Sequence, residues 1–532
     1  MKQSLDFSLE TTQELQKRMT RKRKVIVSAL IMSALIGAAA LGLGWMLLSG
    51  SESPETADNL AQTAPRAPAT GPLRVNPENP RYFTDGSGKT IYLTGSHTWN
   101  NLQEISKLAP KFEYDKYLQF LQKANHNFIR LWAIENAAWE VPSTDKVRTH
   151  PLPYRRTGPG VALDGDPKFD LAQFDPDYFD RLRSRVSAAA DHGIYVSVML
   201  FNGWCIGKKP YSQGNPWRGH PFHRENNVNG IDGDLNGDGE GKEIQTLQDP
   251  KITGLQEQYV RKVVDTLSDF DNVLWEISNE SDHESKGWQY HMIRFIKTYE
   301  AGKKKQHPVG MTVAHPEHEE NNRDLFESPA DWVSPAPDGF ADYRDNPPAA
   351  DGRKVIILDT DHLWGVGGDR AWVWKSFTRG HNPIFMDPFE GQKWQSAQLA
   401  MGRTLDYAER INLEVMMPHN EVASSGYCLV DPGKEYLVYL PFEAHRLESA
   451  RFFHRFKQQI SNFRRNFRRT VTVDLTAAHG TFLPEWLNPS NGERIKGKEI
   501  EGGSRIQLTA PFKGDAVLHL QREPAESKRS ND

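Results

Sequence analysis

Cysteine is nearly missing from this chain: Cys205 and Cys428 are the two in 532 residues. No disulfide framework supports the fold, and two buried thiols are favoured over one bridge. No His-x-x-x-His and no Cys pair occurs, which removes the usual catalytic and structural zinc patterns. Neither sign of charge dominates, with 65 Lys and Arg against 69 Asp and Glu and a net charge of −4. A nucleic-acid partner, which phosphate neutralisation would have to hold, is therefore not expected. The turn after the first apolar segment, Gly95-Ser-His-Thr-Trp-Asn100, is not a Gly-rich phosphate loop, which argues against an open dinucleotide-binding sheet. Internal repeats are missing too.

A composition of 38% hydrophobic and 25% charged residues is that of an ordinary globular protein, and the length exceeds one common domain. One uncharged run, Val25 to Ser49, has the length of a membrane-crossing helix. Lys17, Arg18, Arg21, Lys22, Arg23 and Lys24 precede it, and Glu52, Glu55 and Asp58 follow. That asymmetry predicts a single-pass anchor with a cytoplasmic N-terminus of residues 1–24 and everything else outside. A cleaved signal peptide, and hence secretion, is the alternative, although the run exceeds the usual length of such a core. Residues 50–72, rich in Pro, Ala, Thr and Ser, read as a flexible tether. The basic run Arg451 to Arg469, interleaved with phenylalanines, reads as a solvated helix face over an aromatic core.

From residue 73 apolar segments alternate with amphipathic ones. The candidate strands are Ile91–Gly95, Phe128–Trp132, Ile194–Leu200, Val273–Ile277, Val309–Val313, Val355–Leu358, Ile384–Met386 and Leu413–Met416. Eight apolar strands separated by helical stretches such as Phe174 to His192 predict a (β/α)8 TIM barrel over residues 73–420. Short strands with turn signals then predict a small all-β sandwich over 421–521. Residues 522–532 read as a frayed tail.

Catalytic residues of such a barrel sit at the C-terminal ends of its strands. The fourth candidate strand runs into Asn279-Glu280 and the seventh into Asp387, with Glu390 close behind. Two carboxylates facing one another across a barrel mouth are the equipment for cleaving a glycosidic bond, one as proton donor and one as nucleophile or base. Glu280 is thus expected as acid/base, and Asp387 as the other member, with Glu390 as its substitute. Other strand ends offer His97, Trp99, Arg130, Trp132, Asn202, Trp204, Asn279, His315, Asp361, His362 and Trp364 to a sugar. Isolated histidines and arginines at such positions are as often structural. Separately, Asp232-Gly-Asp-Leu-Asn-Gly-Asp-Gly-Glu-Gly-Lys-Glu243 matches the EF-hand loop pattern, with Asp232, Asp234, Asn236, Asp238 and Glu243 as oxygen ligands. A structural Ca²⁺ is expected there, against a solvated acidic turn; no organic cofactor is expected.

The Asn279-Glu280 strand end resembles glycoside hydrolase clan A. Asn79–Gly95, Phe128–Trp132 and Gly433–Pro441 look like its apiosidase-like branch, in which a barrel precedes a β domain labelled as a putative collagen-binding domain. The resemblance spans about residues 73–521. It implies hydrolysis with retention of anomeric configuration, an arginine at the position of Arg130 that orients the nucleophile, and a nucleophile on strand seven. Clan members commonly use Glu there, whereas the counted seventh strand ends in Asp387. The expected function is a membrane-anchored, outward-facing retaining glycosidase acting on a polysaccharide or its oligosaccharides. A catalytically inactive glycan- or collagen-binding surface protein is the alternative from another class, and a lyase or transglycosidase would share the same carboxylates.

Overall fold

The computed structural model describes residues 66–105, 111–138, 148–208, 214–315, 321–338, 341–389, 393–442 and 469–523. The expected anchor 25–49, most of the tether, Glu390, the basic run 451–468 and the last nine residues lie outside these. Among the described residues no helix is long and apolar enough to cross a membrane.

Eight parallel strands form the main sheet: β1 Gly95–His97, β2 Phe128–Leu131, β3 Tyr195–Asn202, β4 Val273–Asn279, β5 Val309–Thr312, β6 Trp332–Ser334, β7 Val355–Asp359 and β8 Asn382–Met386. Their order is β1-β8-β7-β6-β5-β4-β3-β2. Asn127, just before β2, ties the two end strands together. Its backbone N–H donates to Thr94 O (3.1 Å) and its side-chain amide to Tyr92 O (2.8 Å), while its Oδ1 accepts from Thr94 N (2.9 Å). Here the backbones approach so closely that a Cβ at Gly95 would lie 2.2 Å from Phe128 O, so this position requires glycine. Strands buried along their whole length, such as β3 and β4, are what a sheet covered by helices on its outside and filled by side chains within demands.

The strand count expected from sequence needs correcting at three places. Ile91 belongs with Thr90 to a three-stranded antiparallel sheet with Arg74–Val75 and Phe83–Thr84, whose Phe83 packs with Leu93, Leu274, Trp332, Val355 and Ile384 beneath the barrel. Strand β6, three residues between Asp331 and Pro335, is too short to show a period in sequence. Leu413–Met416 is no barrel strand: it lies in the turn after helix Gln395–Arg410, where Asn79 Nδ2 donates to Leu413 O (2.6 Å) and Met416 O (3.0 Å). Leu413 and Met416 are buried in the main apolar core, while Val415 between them is exposed. Consequently Val355–Asp359 is the seventh strand and Asn382–Met386 the eighth.

Beyond the barrel, an antiparallel sheet runs Met417–Pro418, Cys428–Asp431, Glu435–Leu440, Ala516–Arg522, Thr481–Leu487, Arg494–Lys496, with Ile500–Glu501 also paired to Thr481–Leu487. Thr470–Asp474 and Arg505–Thr509 form a second sheet, and Val438, Leu440, Val471, Val473, Phe482 and Leu518 fill one core with it. This is the expected β domain. Tyr439, Leu429, Leu437 and Val517 on its other face join the apolar core of the barrel, and Arg370 pairs with Asp515 (3.1 Å) across the boundary. Both cysteines are buried, and no disulfide joins them.

Candidate active site

Arg130 on β2 organises the mouth of the barrel. The residue is 1% exposed, and its guanidinium is held by Glu276 of β4 (2.5 and 3.0 Å), Asp359 at the end of β7 (2.8 Å) and Asp361 two residues later (3.0 Å). It also donates to Asn279 Oδ1 (2.7 Å). Burial alone would weaken its hold on a proton, but the carboxylates of Glu276, Asp359 and Asp361 raise its pKa well above the usual value. One cation facing three carboxylates in a dry site has to be ringed by hydrogen bonds, and it is.

His97 of β1 is fixed in one tautomer. Trp132 Nε1, which can only donate, bonds to His97 Nδ1 (2.8 Å), so the other ring nitrogen carries the proton toward Asp359 (3.0 Å). Burial would raise the Asp359 carboxyl; the His97 and Arg130 contacts outweigh it and hold that group well below the usual carboxylate range. Asp359 is therefore a fixed anion at the floor of the site.

Above this floor Glu280 and Asp361 face each other. Carboxylate oxygens of Glu280 and Asp361 and a ring nitrogen of His362 all lie within 4.8 Å of one another. Glu280 follows the last residue of β4 with a φ of +45°, an uncommon backbone for a residue with a side chain and one that clusters at functional sites. Trp204, carried on the short helix Gly203–Cys205 after β3, donates its indole N–H to Glu280. Burial, and then the charge of Asp361, pushes the Glu280 carboxyl up to about 8. Asp361 rises to about 6, again by burial first, with Arg130 opposing. His362 falls to about 3, because burial and then Arg130 disfavour its cation; its nitrogens meet Asn279 Oδ1 (3.2 Å) and Ser334 Oγ (2.7 Å).

The remaining expected residues divide around this centre. Asn202 caps the helix that carries Trp204, accepting from Trp204 N (3.0 Å). His315 is exposed and stacks on Trp204 with ring centroids 5.7 Å apart. Trp99 packs beside Trp132, Met199 and Met386, and Trp364 stands 37% exposed at the rim. Asp387 is found at the end of β8, not of the seventh strand. Its oxygens accept from Gln398 Nε2 (2.6 Å) and Phe389 N (2.8 Å), and burial raises its carboxyl. Glu390 lies outside the described residues. Glu276 and Asp359 were not expected as site residues. Glu276 is an acid inside an otherwise apolar strand four residues before Glu280, and that pattern was the available signal.

The acidic loop is tied to the segments that follow β3 and β4, through Glu240 O to Gly207 N (2.7 Å) and Lys242 to Asp282 (3.4 Å). Asp234 accepts from the N–H groups of Gly237 (3.1 Å) and Gly239 (2.9 Å), so the turn centres on Asp234 and not on Asp232, whose Oδ1 accepts from Asp234 N (3.3 Å). Asn236 Nδ2 reaches both Asp238 Oδ2 (3.1 Å) and Glu243 Oε1 (2.6 Å). Burial, followed by Asp238 and Asp234, raises the Glu243 carboxyl.

A family model described as a domain of unknown function (DUF6298) matches residues 147–317, the stretch that holds Trp204, the acidic loop and Glu280. No curated protein matches the chain in sequence. Among solved structures, a glycoside hydrolase family 5 protein from Bacteroides vulgatus superposes with a TM-score of 0.52 at 13% identity, over 85% of this chain and 93% of the other. A structure titled "Glycoside hydrolase" gives 0.49 at 13% identity, over 85% and 97%. An endo-1,4-beta-mannanase from Rhizomucor miehei gives 0.39 at 12% identity, over 65% and 100%. The shared feature is the fold: the chain has the barrel of the family 5 protein.

Proposed function

We propose that this chain is an O-glycoside hydrolase that retains anomeric configuration, with Glu280 as acid/base and Asp361, not Asp387, as nucleophile. The observation that carries this is the approach of the Glu280 and Asp361 oxygens to within 4.8 Å, from β4 and from the turn after β7, across one barrel mouth. A double displacement needs carboxyl groups about 5–5.5 Å apart, whereas an inverting site leaves about 6.5–9.5 Å for a water between them. The titration order agrees. Near neutral pH Asp361, at about 6, is an anion, and Glu280, at about 8, holds its proton.

In the first step an Asp361 oxygen bonds to the anomeric carbon while the glycosidic C–O bond breaks and the Glu280 proton passes to the leaving oxygen. In the second, Glu280 takes a proton from water, whose oxygen displaces Asp361 and regenerates both groups. Arg130 keeps Asp361 ionised between turnovers, and Trp204 fixes the Glu280 carboxyl. Asn279 Nδ2 is buried with no hydrogen-bond partner among the described residues, and such a donor is satisfied by a substrate hydroxyl. Trp99 and Trp364 offer aromatic faces to further sugar units. The family 5 likeness supports a carbohydrate substrate, and the apiosidase-like resemblance narrows it to plant- or algal-type polysaccharide or its oligosaccharides. The run Val25–Ser49 would tether the enzyme to a membrane, facing outward.

The test is sugar release by the full chain from a panel of aryl glycosides and polysaccharides, with the anomer of the first product read by NMR. Release that begins with the inverted anomer overturns the retaining pair; release of an unsaturated sugar makes the protein a lyase. Binding of one glycan without release favours the inactive surface protein.

A further inference from the structure

We propose that the loop 232–243 is a calcium site, in which Asp234, Asn236, Asp238 and Glu243 surround one Ca²⁺. This does not rest on the glycosidase reading. Glu243 is 9% exposed, and while its Oε1 lies 2.6 Å from Asn236, its Oε2 is buried with no hydrogen-bond partner among the described residues. A carboxylate oxygen removed from water without a partner is costly. Its other oxygen faces the loop, and so the missing partner belongs there.

The charge balance points the same way. Asp234, Asp238 and Glu243 belong to one loop, and among the described residues the loop's lysine, Lys242, pairs with Glu240 (2.9 Å) and Asp282 (3.4 Å) rather than with any of the three. The Asn236 amide sits between the Asp238 and Glu243 carboxylates. Its nitrogen and oxygen are interchangeable in such an environment, and the oxygen turned inward would give a set of hard oxygens that a divalent cation reconciles. Oxygen-only donors select Ca²⁺ over softer metals. Counting from Asp234, the spacing Asp-x-Asn-x-Asp-Gly239 is the oxygen-rich start of a calcium loop, and the Gly237 and Gly239 N–H groups on Asp234 hold its first carboxylate in place.

The loop also clamps the proposed active site. Gly207 N, just beyond the Trp204 helix, donates to Glu240 O (2.7 Å), and Lys242 reaches Asp282, two residues after Glu280. Ordering the loop with a cation thus fixes the segments that carry Trp204 and Glu280. Trp217 lies over the loop: a Cβ at Gly241 would meet its ring at 2.2 Å. A lanthanide in the loop would accept energy from that indole.

The experiment takes the full chain, stripped with a chelator and shown by circular dichroism to be folded. Calcium chloride is titrated by calorimetry, and Tb³⁺ is followed by tryptophan-excited emission. One Ca²⁺ per chain, a rise in Tm, Tb³⁺ emission chased by Ca²⁺, and affinity lowered more than about tenfold in Asp234→Asn and in Glu243→Gln are expected. Trp217→Phe should keep the calorimetric signal while losing most emission. Folded protein that gives neither heat nor emission overturns the proposal. So does binding that survives Asp234→Asn and Glu243→Gln but disappears in Asp361→Asn, because the cation would then sit between Glu280, Asp361 and His362.

Discussion

The proposed division of labour between Glu280 and Asp361 makes a definite pH profile. With Asp361 at about 6 and Glu280 at about 8, the productive form, one anion and one acid, is about 80% of the enzyme at pH 7 and about 10% at either pH 5 or pH 9. The sign follows from the roles: the acid limb is loss of the Asp361 anion, the alkaline limb loss of the Glu280 proton. The perturbation that separates them is Glu280→Gln, assayed as kcat/KM between pH 4.5 and 9.5 on aryl glycosides with good and poor leaving groups. The parent should show a maximum near pH 7 and fall about ninefold by pH 5 and by pH 9. The variant should lose about 10²–10⁴-fold on the poor leaving group, much less on the good one, and should keep the acid limb while losing the alkaline one. A parent rate that stays level or rises from pH 7 to pH 9 would refute the assignment of Glu280 as the acid, and a maximum near pH 5 would refute the environment ascribed to Asp361.

Asp361→Asn should lower kcat by more than about 10⁴-fold, whereas Asp387→Asn, which exchanges an acceptor beside Gln398 for an amide, should stay within about tenfold; the reverse result returns the nucleophile to β8. Arg130→Met leaves Glu276 and Asp359 as uncompensated buried anions and should destabilise the fold by about 3–5 kcal/mol, read by denaturant unfolding. Glu280→Gln should also change stability with pH. The folded-state pKa is raised from 4.5 to about 8, so the native state binds more protons between those values and the parent loses stability as pH rises through that window. The variant lacks this loss, and its Tm advantage should grow from pH 5 to pH 8.

The barrel and the β domain were legible because their elements obey different periods. Near-continuous apolar strands such as Val355–Asp359 alternate with amphipathic helices up to about residue 410, and alternating strands such as Thr470–Asp474 follow. Glu280 could be read because a long, fully apolar strand delivers it to an end. Asp361 was legible as a mouth residue but not as the partner of Glu280, and the cause is one short strand. Trp332-Val-Ser334 is too brief for any period, and Leu413–Met416, whose Leu413 and Met416 are buried in the turn after a helix, filled the empty place in the count. An eight-strand total thus came out right while the seventh strand came out wrong. Arg130's three carboxylates and the Trp132–His97–Asp359 chain were illegible because they join β1, β2, β4 and β7, elements up to about 260 residues apart in sequence; spacing along a chain carries no information on such meetings.

Why Asp361 and not its neighbour Asp359 should be the nucleophile follows from what each has already given away. Asp359 is wholly buried, accepts from His97 and Arg130, and also receives the Asp361 N–H (3.0 Å) on its Oδ1. A carboxylate whose two oxygens are tied into three such bonds is a poor electron donor, and to attack it would have to break its pairing with Arg130. Asp361 spends one oxygen on Arg130 (3.0 Å); the group keeps a higher proton affinity, and with it more nucleophilic character. The short helix Thr360–His362 lifts it from the floor toward Glu280. A shorter side chain than the glutamate common at this strand end is therefore offset by backbone, since the extra residues after β7 supply the reach that one methylene would otherwise give. Asp361→Glu should accordingly crowd Glu280 and lower the rate, although its charge is the same.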